Sequence, residues 1–176
     1  MIVVFDASTL VFLFSPHAGA PTDPSTGRLV EHCQQRIKYL IANLQRAKAQ
    51  IIIPAPALAE ILVYAEDADG AWLSILNRSR YFRIAPFDQL EAVECAVMAN
   101  ARRTGAQLTQ AQKRKAKFDE QIVAIARTQM ATLILSDDSD IMKLVAGDVP
   151  VRGMADLDLP PEDAQTMLFP DEEPGA

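Results

Sequence analysis

Five short apolar runs alternate with longer amphipathic stretches along most of the chain. The runs are rich in β-branched residues, which favour extended structure, and they predict buried strands at residues 2–5, 51–53, 81–85, 133–135 and, more weakly, 149–151. Because strands that alternate with helices form a parallel sheet covered by helices on both faces, the pattern predicts an α/β fold.

Between the strands, apolar residues recur at intervals of three and four, as they do on the buried face of a helix. The longest such stretch, residues 24–48, is predicted to begin at Asp23 and Pro24, which suit a helix cap and first turn, and to bury Leu29 and Ile37. The remaining helices are predicted at residues 55–65, 69–77, 88–103 and 117–130.

A length of 176 residues with 49% apolar and 23% charged residues is typical of one globular domain. The net charge of −6 arises at the C-terminus, because residues 156–176 hold seven of the 23 acids and no Lys or Arg. The other 16 acids face 17 bases, so residues 1–155 carry a charge of +1. We therefore predict one folded domain over residues 1–155, followed by an acidic tail whose four prolines favour irregular structure.

The sequence favours an intracellular protein. Asp6 interrupts the first apolar stretch and no base precedes Arg28, whereas a signal peptide needs a basic start and an unbroken apolar run. No run approaches the length that spans a membrane, and Cys33 and Cys95 are too few for a disulfide framework or a zinc cluster. We expect a cytoplasmic protein without a membrane partner.

The stretch between Cys95 and Phe118 contains no acid and six bases, which are Arg102, Arg103, Lys113, Arg114, Lys115 and Lys117. Such a run is usually a solvated helix end or loop. It also suits a surface that faces a polyanion, because local charge bias matters more to such a partner than the overall charge.

Acidic side chains follow two of the predicted strands. Asp6 comes directly after the first strand, and Asp137, Asp138 and Asp140 follow the strand at 133–135. Ligands of open parallel sheets bind beyond the carboxyl ends of the strands, so these carboxylates crowd one edge if the two strands are neighbours. Each acid alone also suits a turn or a helix cap, but three within four positions repel one another unless a cation intervenes.

Two acids on predicted helices are candidates for the same site. Glu60 is the only charged residue in the apolar stretch 49–65, so we predict that it faces inward and binds a ligand. The helical wheel also allows a solvent-facing Glu60, because it places this residue roughly opposite Leu58 and Ile61. Asp119 shares a helix face with Ile122 and is expected to point inward with it, although an acid in the first helical turn also complements the helix dipole.

Converging carboxylates would form a site of hard oxygen ligands. Such a site suits Mg²⁺ or Mn²⁺, and the sequence holds no Cys and His set for zinc. One or two such ions can ionise a water and stabilise both oxygens of an in-line phosphoryl displacement. The candidate ligands are Asp6, Glu60, Asp119 and Asp138, with Asp137 or Asp140 adjoining.

Four segments resemble, in order, the acidic motifs of PIN-domain ribonucleases, and in particular those of the VapC-type toxins of toxin–antitoxin pairs. The segments are FDAST at 5–9, ALAEIL at 57–62, KFDEQIVAIA at 117–126 and LSDDSDI at 135–141. The resemblance covers about residues 1–152 and implies a single PIN-like domain.

The resemblance also implies roles for individual residues. The metal-binding and catalytic acids would be Asp6, Glu60, Asp119 and Asp138, with Asp140 as a further metal ligand. Ser136 matches the small hydroxyl residue that opens the last motif, and Asp137 adjoins it. Ser8 stands where the family often has Asn, and it can still hydrogen-bond a carboxylate.

The predicted activity is that of an endoribonuclease that cleaves RNA phosphodiester bonds with a water activated by Mg²⁺ or Mn²⁺. The bases expected to hold the RNA backbone are Lys113, Arg114, Lys115 and Lys117. The resemblance implies a homodimer and a cognate antitoxin protein as a partner.

Two other functions fit parts of the pattern. A haloacid-dehalogenase-like phosphohydrolase also has an aspartate after its first strand and a late aspartate pair, but it needs a second aspartate where this chain has Ser8. A PIN-like module that binds RNA or a protein without cutting has no need of all four acids. Metal-dependent cleavage of a mixed RNA pool, with an Asp6→Asn control, distinguishes these functions.

Overall fold

The computed structural model describes residues 1–15, 17–64, 70–103 and 109–161. Within these residues five strands form one parallel sheet in the order β3-β2-β1-β4-β5. The strands are β1 (Ile2–Phe5), β2 (Gln50–Pro54), β3 (Phe82–Ala85), β4 (Leu133–Leu135) and β5 (Val151–Arg152). The strand predicted at 149–151 therefore lies slightly later in the chain.

Helices connect the strands and cover both faces of the sheet. Successive residues of a strand point to opposite faces, and Ile51, Ile52 and Ile53 are all fully buried, so neither face of β2 meets solvent. The helices are α1 (Ala7–Phe14), α2 (Cys33–Arg46), α3 (Ala55–Tyr64), α4 (Ala71–Arg78), α5 (Gln89–Arg103), α6 (Gln110–Thr128) and α7 (Ser139–Val145). The predicted α/β fold with a parallel sheet is confirmed.

The predicted start of α2 is wrong, since the helix begins at Cys33 rather than at residue 24. The Asp23 carboxylate accepts hydrogen bonds from Ser25 and Thr26, which close a turn instead of capping a helix. Gly27 then takes a left-handed conformation with φ 68°, and Leu29, expected in the core, is 65% exposed.

Two further helical segments differ from the sequence-based expectation. Helix α1 follows β1 directly, because Asp6 caps it by accepting a hydrogen bond from the Ala7 N–H. Helix α6 begins seven residues before residue 117, where Thr109 and Gln112 form a capping box. Four of the six bases of the basic stretch, Lys113, Arg114, Lys115 and Lys117, therefore lie on the first turns of α6, in agreement with the high helix propensity of Lys, Arg, Gln and Ala.

The start of the predicted tail contacts the folded domain through Leu157. Leu157 is 4% exposed, and its carbonyl accepts a hydrogen bond from Arg36 of α2. Residues 162–176 lie outside the described residues, so the predicted boundary after residue 155 stays a prediction. No helix in the described ranges is long and apolar enough to cross a membrane.

Candidate active site

Strands β1 and β4 are neighbours, so the acids that follow them lie at one edge of the sheet. Phe5 pairs with Leu135, and the Asp6 N–H donates to the Leu135 carbonyl at 2.9 Å. Asp6 is 5% exposed, and one carboxylate oxygen, Oδ2, accepts hydrogen bonds of 2.8 Å from both Ser8 Oγ and Ser136 Oγ. Two hydroxyl groups therefore hold the Asp6 carboxylate in a single orientation.

The same serines connect Asp6 to the loop after β4. Ser136 Oγ accepts from the Asp138 N–H at 3.0 Å, and Ser8 Oγ accepts from the Asp137 N–H at 3.0 Å. Asp138 then caps α7, because its Oδ1 accepts from the Asp140 N–H at 2.8 Å. The cap uses Asp138 Oδ1, so Asp138 Oδ2 can contact other groups.

Asp119 and Glu60 reach the site from helices α6 and α3. Asp119 is buried as expected. Burial raises the pKa of Asp119 to about 6; the Lys115 ammonium opposes this rise, and the Asp138 and Asp6 carboxylates add to it. Glu60 differs from the expectation of a buried side chain, because it is exposed at the rim. Partial burial still raises the pKa of Glu60, as do the nearby charges of Asp6 and Asp138.

Lys115 lies among these acids rather than on the outer surface of α6. Its Nζ is 2.7 Å from Asp138 Oδ2, 2.7 Å from Asp140 Oδ2 and 3.4 Å from Asp119 Oδ2. Burial alone would lower the pKa of Lys115, but its hydrogen bonds to Asp138 and Asp140 raise that pKa above the ordinary value. The ammonium is therefore charged at every physiological pH.

The other two acids of the late motif have different surroundings. Asp140 is half exposed and also binds Lys143 Nζ at 3.0 Å. Asp137 turns towards the chain after β5, where its Oδ1 accepts from the Met154 N–H at 2.7 Å. Its Oδ2 is buried and has no hydrogen-bond partner among the described residues, and burial raises the pKa of this carboxyl group. Asp137 thus holds the segment after β5 against the site.

The four bases expected to hold RNA do not share one face of α6. All four are exposed, but Lys115 faces the carboxylates. Lys113 and Lys117 are each two residues from Lys115, which places them on the opposite side of a helix. Lys117 instead lies near the buried Glu120. Burial raises the pKa of Glu120, and the positive charge of Lys117 partly offsets that rise. Helix formation therefore divides the predicted basic patch.

A cavity of about 930 Å³ is lined by Lys115 and by the carboxylates of Asp6, Glu60, Asp119, Asp137 and Asp138. The apolar part of its wall includes Val11, Pro56, Val63, Phe118 and Ile122. Phe118 and Val63 are 55% and 80% exposed, so the wall is open to an incoming molecule. The interpretation of the sequence missed this wall, although Phe118 directly precedes Asp119 and Val63 follows Glu60 by one helical turn.

The chemistry of these side chains fits a hard divalent cation. The donors are carboxylate and hydroxyl oxygens, and the pKa values of Asp119 and Glu60 are raised partly by neighbouring carboxylates that a cation would neutralise. In the ranges that the structure describes, however, no three His, Cys, Asp or Glu side chains form a ready metal-binding group. The fit is thus one of ligand type and charge. The residues that would hold the ion are Asp6, Glu60, Asp119 and Asp138.

Comparison with known proteins gives a likeness at the level of structure. No family model matches the chain, and no curated protein matches its sequence. Chains in three solved structures match with TM-scores of 0.53 to 0.57: VapBC2 from Rickettsia felis bound to a DNA fragment from its promoter, VapBC-1 from nontypeable Haemophilus influenzae, and FitAcB from Neisseria gonorrhoeae.

Sequence identity in these three matches is low, at 14%, 11% and 19% in the same order. The alignments nevertheless cover 87%, 88% and 88% of this chain and 98%, 98% and 99% of the matched chains. A structural match of this extent at such low sequence identity shows a shared fold. The chain has the PIN-like fold that its sequence predicts.

Proposed function

We propose that this protein is a metal-dependent endoribonuclease of the PIN type and the toxin of a toxin–antitoxin pair. The observation that supports the proposal best is the convergence of acids from four separate parts of the fold. Asp6 follows β1, Glu60 lies on α3, Asp119 lies on α6 and Asp138 follows β4, yet all four line one cavity. A fold that needed these acids only as caps or surface charges would not bring them together.

The residues of the cavity can be assigned complementary tasks. A bound Mg²⁺ or Mn²⁺ would supply a water activated for attack on phosphorus and would stabilise charge on the phosphate oxygens. Ser8 and Ser136 orient the Asp6 carboxylate, and Asp138 is oriented by its place at the start of α7. Arg114, exposed on α6, is suited to contact the RNA backbone.

The partners follow from the structural neighbours. The matched structures from Rickettsia felis, Haemophilus influenzae and Neisseria gonorrhoeae are described as VapBC2, VapBC-1 and FitAcB, and we infer that this chain likewise acts with an antitoxin. The proposal includes RNA as substrate, a homodimer and a cytoplasmic location. Co-expression with the product of a neighbouring gene, followed by light scattering of the purified material, tests both the antitoxin and the dimer.

The alternatives fit the geometry less well. In a haloacid-dehalogenase-like phosphohydrolase the position of Ser8 would carry a second acid, whereas the Ser8 hydroxyl here donates to Asp6 and accepts from the Asp137 N–H. A module that only binds RNA has no use for a carboxylate held by two hydroxyl groups. We retain the ribonuclease proposal.

Cleavage of a mixed RNA pool tests the activity. Purified protein is incubated with the pool in Mn²⁺, in Mg²⁺ or in excess EDTA, and the 5′ ends of the products are sequenced. We expect cleavage with either metal and none in EDTA, and we expect Asp6→Asn and Asp119→Asn to lower the rate at least about 100-fold. Asp158→Asn, a matched change at an exposed aspartate, should cleave like the wild type. Undiminished cleavage in EDTA or by both site variants contradicts the proposal.

A further inference from the structure

We propose that Lys115 is a built-in counter-ion of the carboxylate cavity and that it competes with divalent metal for Asp138 and Asp119. This role depends on the proposed function, because it concerns the metal site of the same cavity. It changes the expected task of Lys115 from binding RNA to positioning carboxylates.

The contacts of the ammonium group account for all of its hydrogen-bonding capacity. A lysine side chain has three N–H donors and no acceptor. The three carboxylates within reach of Nζ are those of Asp138 and Asp140, each at 2.7 Å, and of Asp119 at 3.4 Å. No donor is left for a phosphate oxygen, so Lys115 in this position cannot also bind the RNA backbone.

Lys115 joins two elements of the site. It lies one helical turn before Asp119 on α6, and its ammonium reaches across to the start of α7, where Asp138 is the capping residue. Asp138 Oδ1 is engaged in the cap, so Oδ2 is the oxygen that both Lys115 and a metal ion would use. Competition follows from this shared oxygen.

The charges around the cavity indicate what loss of the lysine would do. The carboxylates of Asp6, Glu60, Asp119, Asp137 and Asp138 line the cavity, and the Asp140 carboxylate binds both Lys115 and Lys143. Six carboxylates beside two ammonium groups leave an excess of negative charge. Loss of Lys115 adds one negative charge to this excess and frees Asp138 Oδ2 for a metal ion.

Binding of Mn²⁺ to the full-length protein, without RNA, tests this role directly. Isothermal titration calorimetry gives the affinity for Mn²⁺ of the wild type, Lys115→Met and Lys115→Arg. The matched control is Lys113→Met, which removes the same charge from an exposed residue on the opposite side of α6. Thermal melting in EDTA checks that each variant is folded, and Lys115→Gln replaces Lys115→Met if that variant does not fold.

We expect Lys115→Met to bind Mn²⁺ at least about tenfold more tightly than the wild type, because a unit charge a few ångströms away is removed. Lys113→Met should stay within about twofold of the wild type, since a distant exposed charge is screened. Lys115→Arg keeps the charge and should bind Mn²⁺ with an affinity close to that of the wild type. In melting experiments Mn²⁺ should raise the Tm of Lys115→Met more than that of the wild type.

If Lys115→Met binds Mn²⁺ no more tightly than Lys113→Met, the role of Lys115 is overturned. If the wild type still cleaves RNA with Mn²⁺ in that case, the proposed function stands and only this role fails. If no variant binds Mn²⁺ and none cleaves RNA, the proposed function fails as well.

Discussion

Replacing Asp119 with Asn should make the metal-free protein more stable at neutral pH, even though it impairs activity. The Asp119 carboxylate is 8% exposed and lies near two other carboxylates, and its pKa is raised from 3.8 to about 6. The folded state therefore disfavours the charged form of this group. Asparagine keeps the shape of the side chain and removes the charge.

The sign and the size of the effect follow from proton linkage. Because the pKa of Asp119 is higher in the folded state than in the unfolded chain, its contribution to stability is fully present below pH 4 and is lost as the pH rises through 6. A rise from 3.8 to about 6 corresponds to about 3 kcal/mol of free energy of unfolding. The Asp138 carboxylate, whose charge adds to this rise, is 25% exposed, so solvent screening reduces the figure, and we expect about 1–3 kcal/mol.

Urea denaturation in EDTA between pH 4 and pH 8 measures the difference between Asp119→Asn and the wild type. The variant should match the wild type near pH 4 and exceed its free energy of unfolding by about 1–3 kcal/mol at pH 8. The matched control is Asp158→Asn, since Asp158 is exposed, and it should show little change at any pH. A variant that is less stable than the wild type at pH 8, or a difference that does not depend on pH, would refute the reasoning.

Three further changes test other parts of the site. Ser136→Ala removes the fully buried hydroxyl that donates to Asp6, and urea denaturation in EDTA should show a loss of about 1–3 kcal/mol; a loss below about 0.5 kcal/mol argues against a structural hydroxyl. Gly153→Ala places a Cβ 2.6 Å from Asp137 Oδ1, so it should lower the free energy of unfolding by about 1–3 kcal/mol, and by clearly less in an Asp137→Ala background. Arg114→Gln should lower the salt slope of RNA binding, measured by filter binding, by about 0.7, and an unchanged slope leaves Arg114 as solvated surface.

The strands and the acidic motifs could be read from the sequence because their signals are local. Buried parallel strands are short runs of apolar β-branched residues, and the runs at Ile2–Phe5 and Leu133–Leu135 coincide with β1 and β4. Since Asp6 and Asp138 follow these strands directly, their arrival at one edge of the sheet required only that β1 and β4 be neighbours.

Helix boundaries were harder to predict because competing local interactions decide them. Asp23 followed by proline suits a helix start, but in the structure its carboxylate is used by Ser25 and Thr26 in a turn. The start of α6 at Gln110 depends on the capping box formed by Thr109, whereas a run of bases taken alone is equally typical of a loop.

The sequence by itself determined the fold class and the order of the strands and predicted the acids of the site, because apolar periodicity and residue type act over a few neighbouring positions. Only the tertiary structure decided which way the charged side chains of α3 and α6 point. It left Glu60 exposed at the rim of the cavity and turned Lys115 away from its basic neighbours onto Asp138 and Asp140. The orientation of Lys115 depends on how α6 packs beside the start of α7, and contacts between distant segments leave no trace in the spacing of residues along the chain.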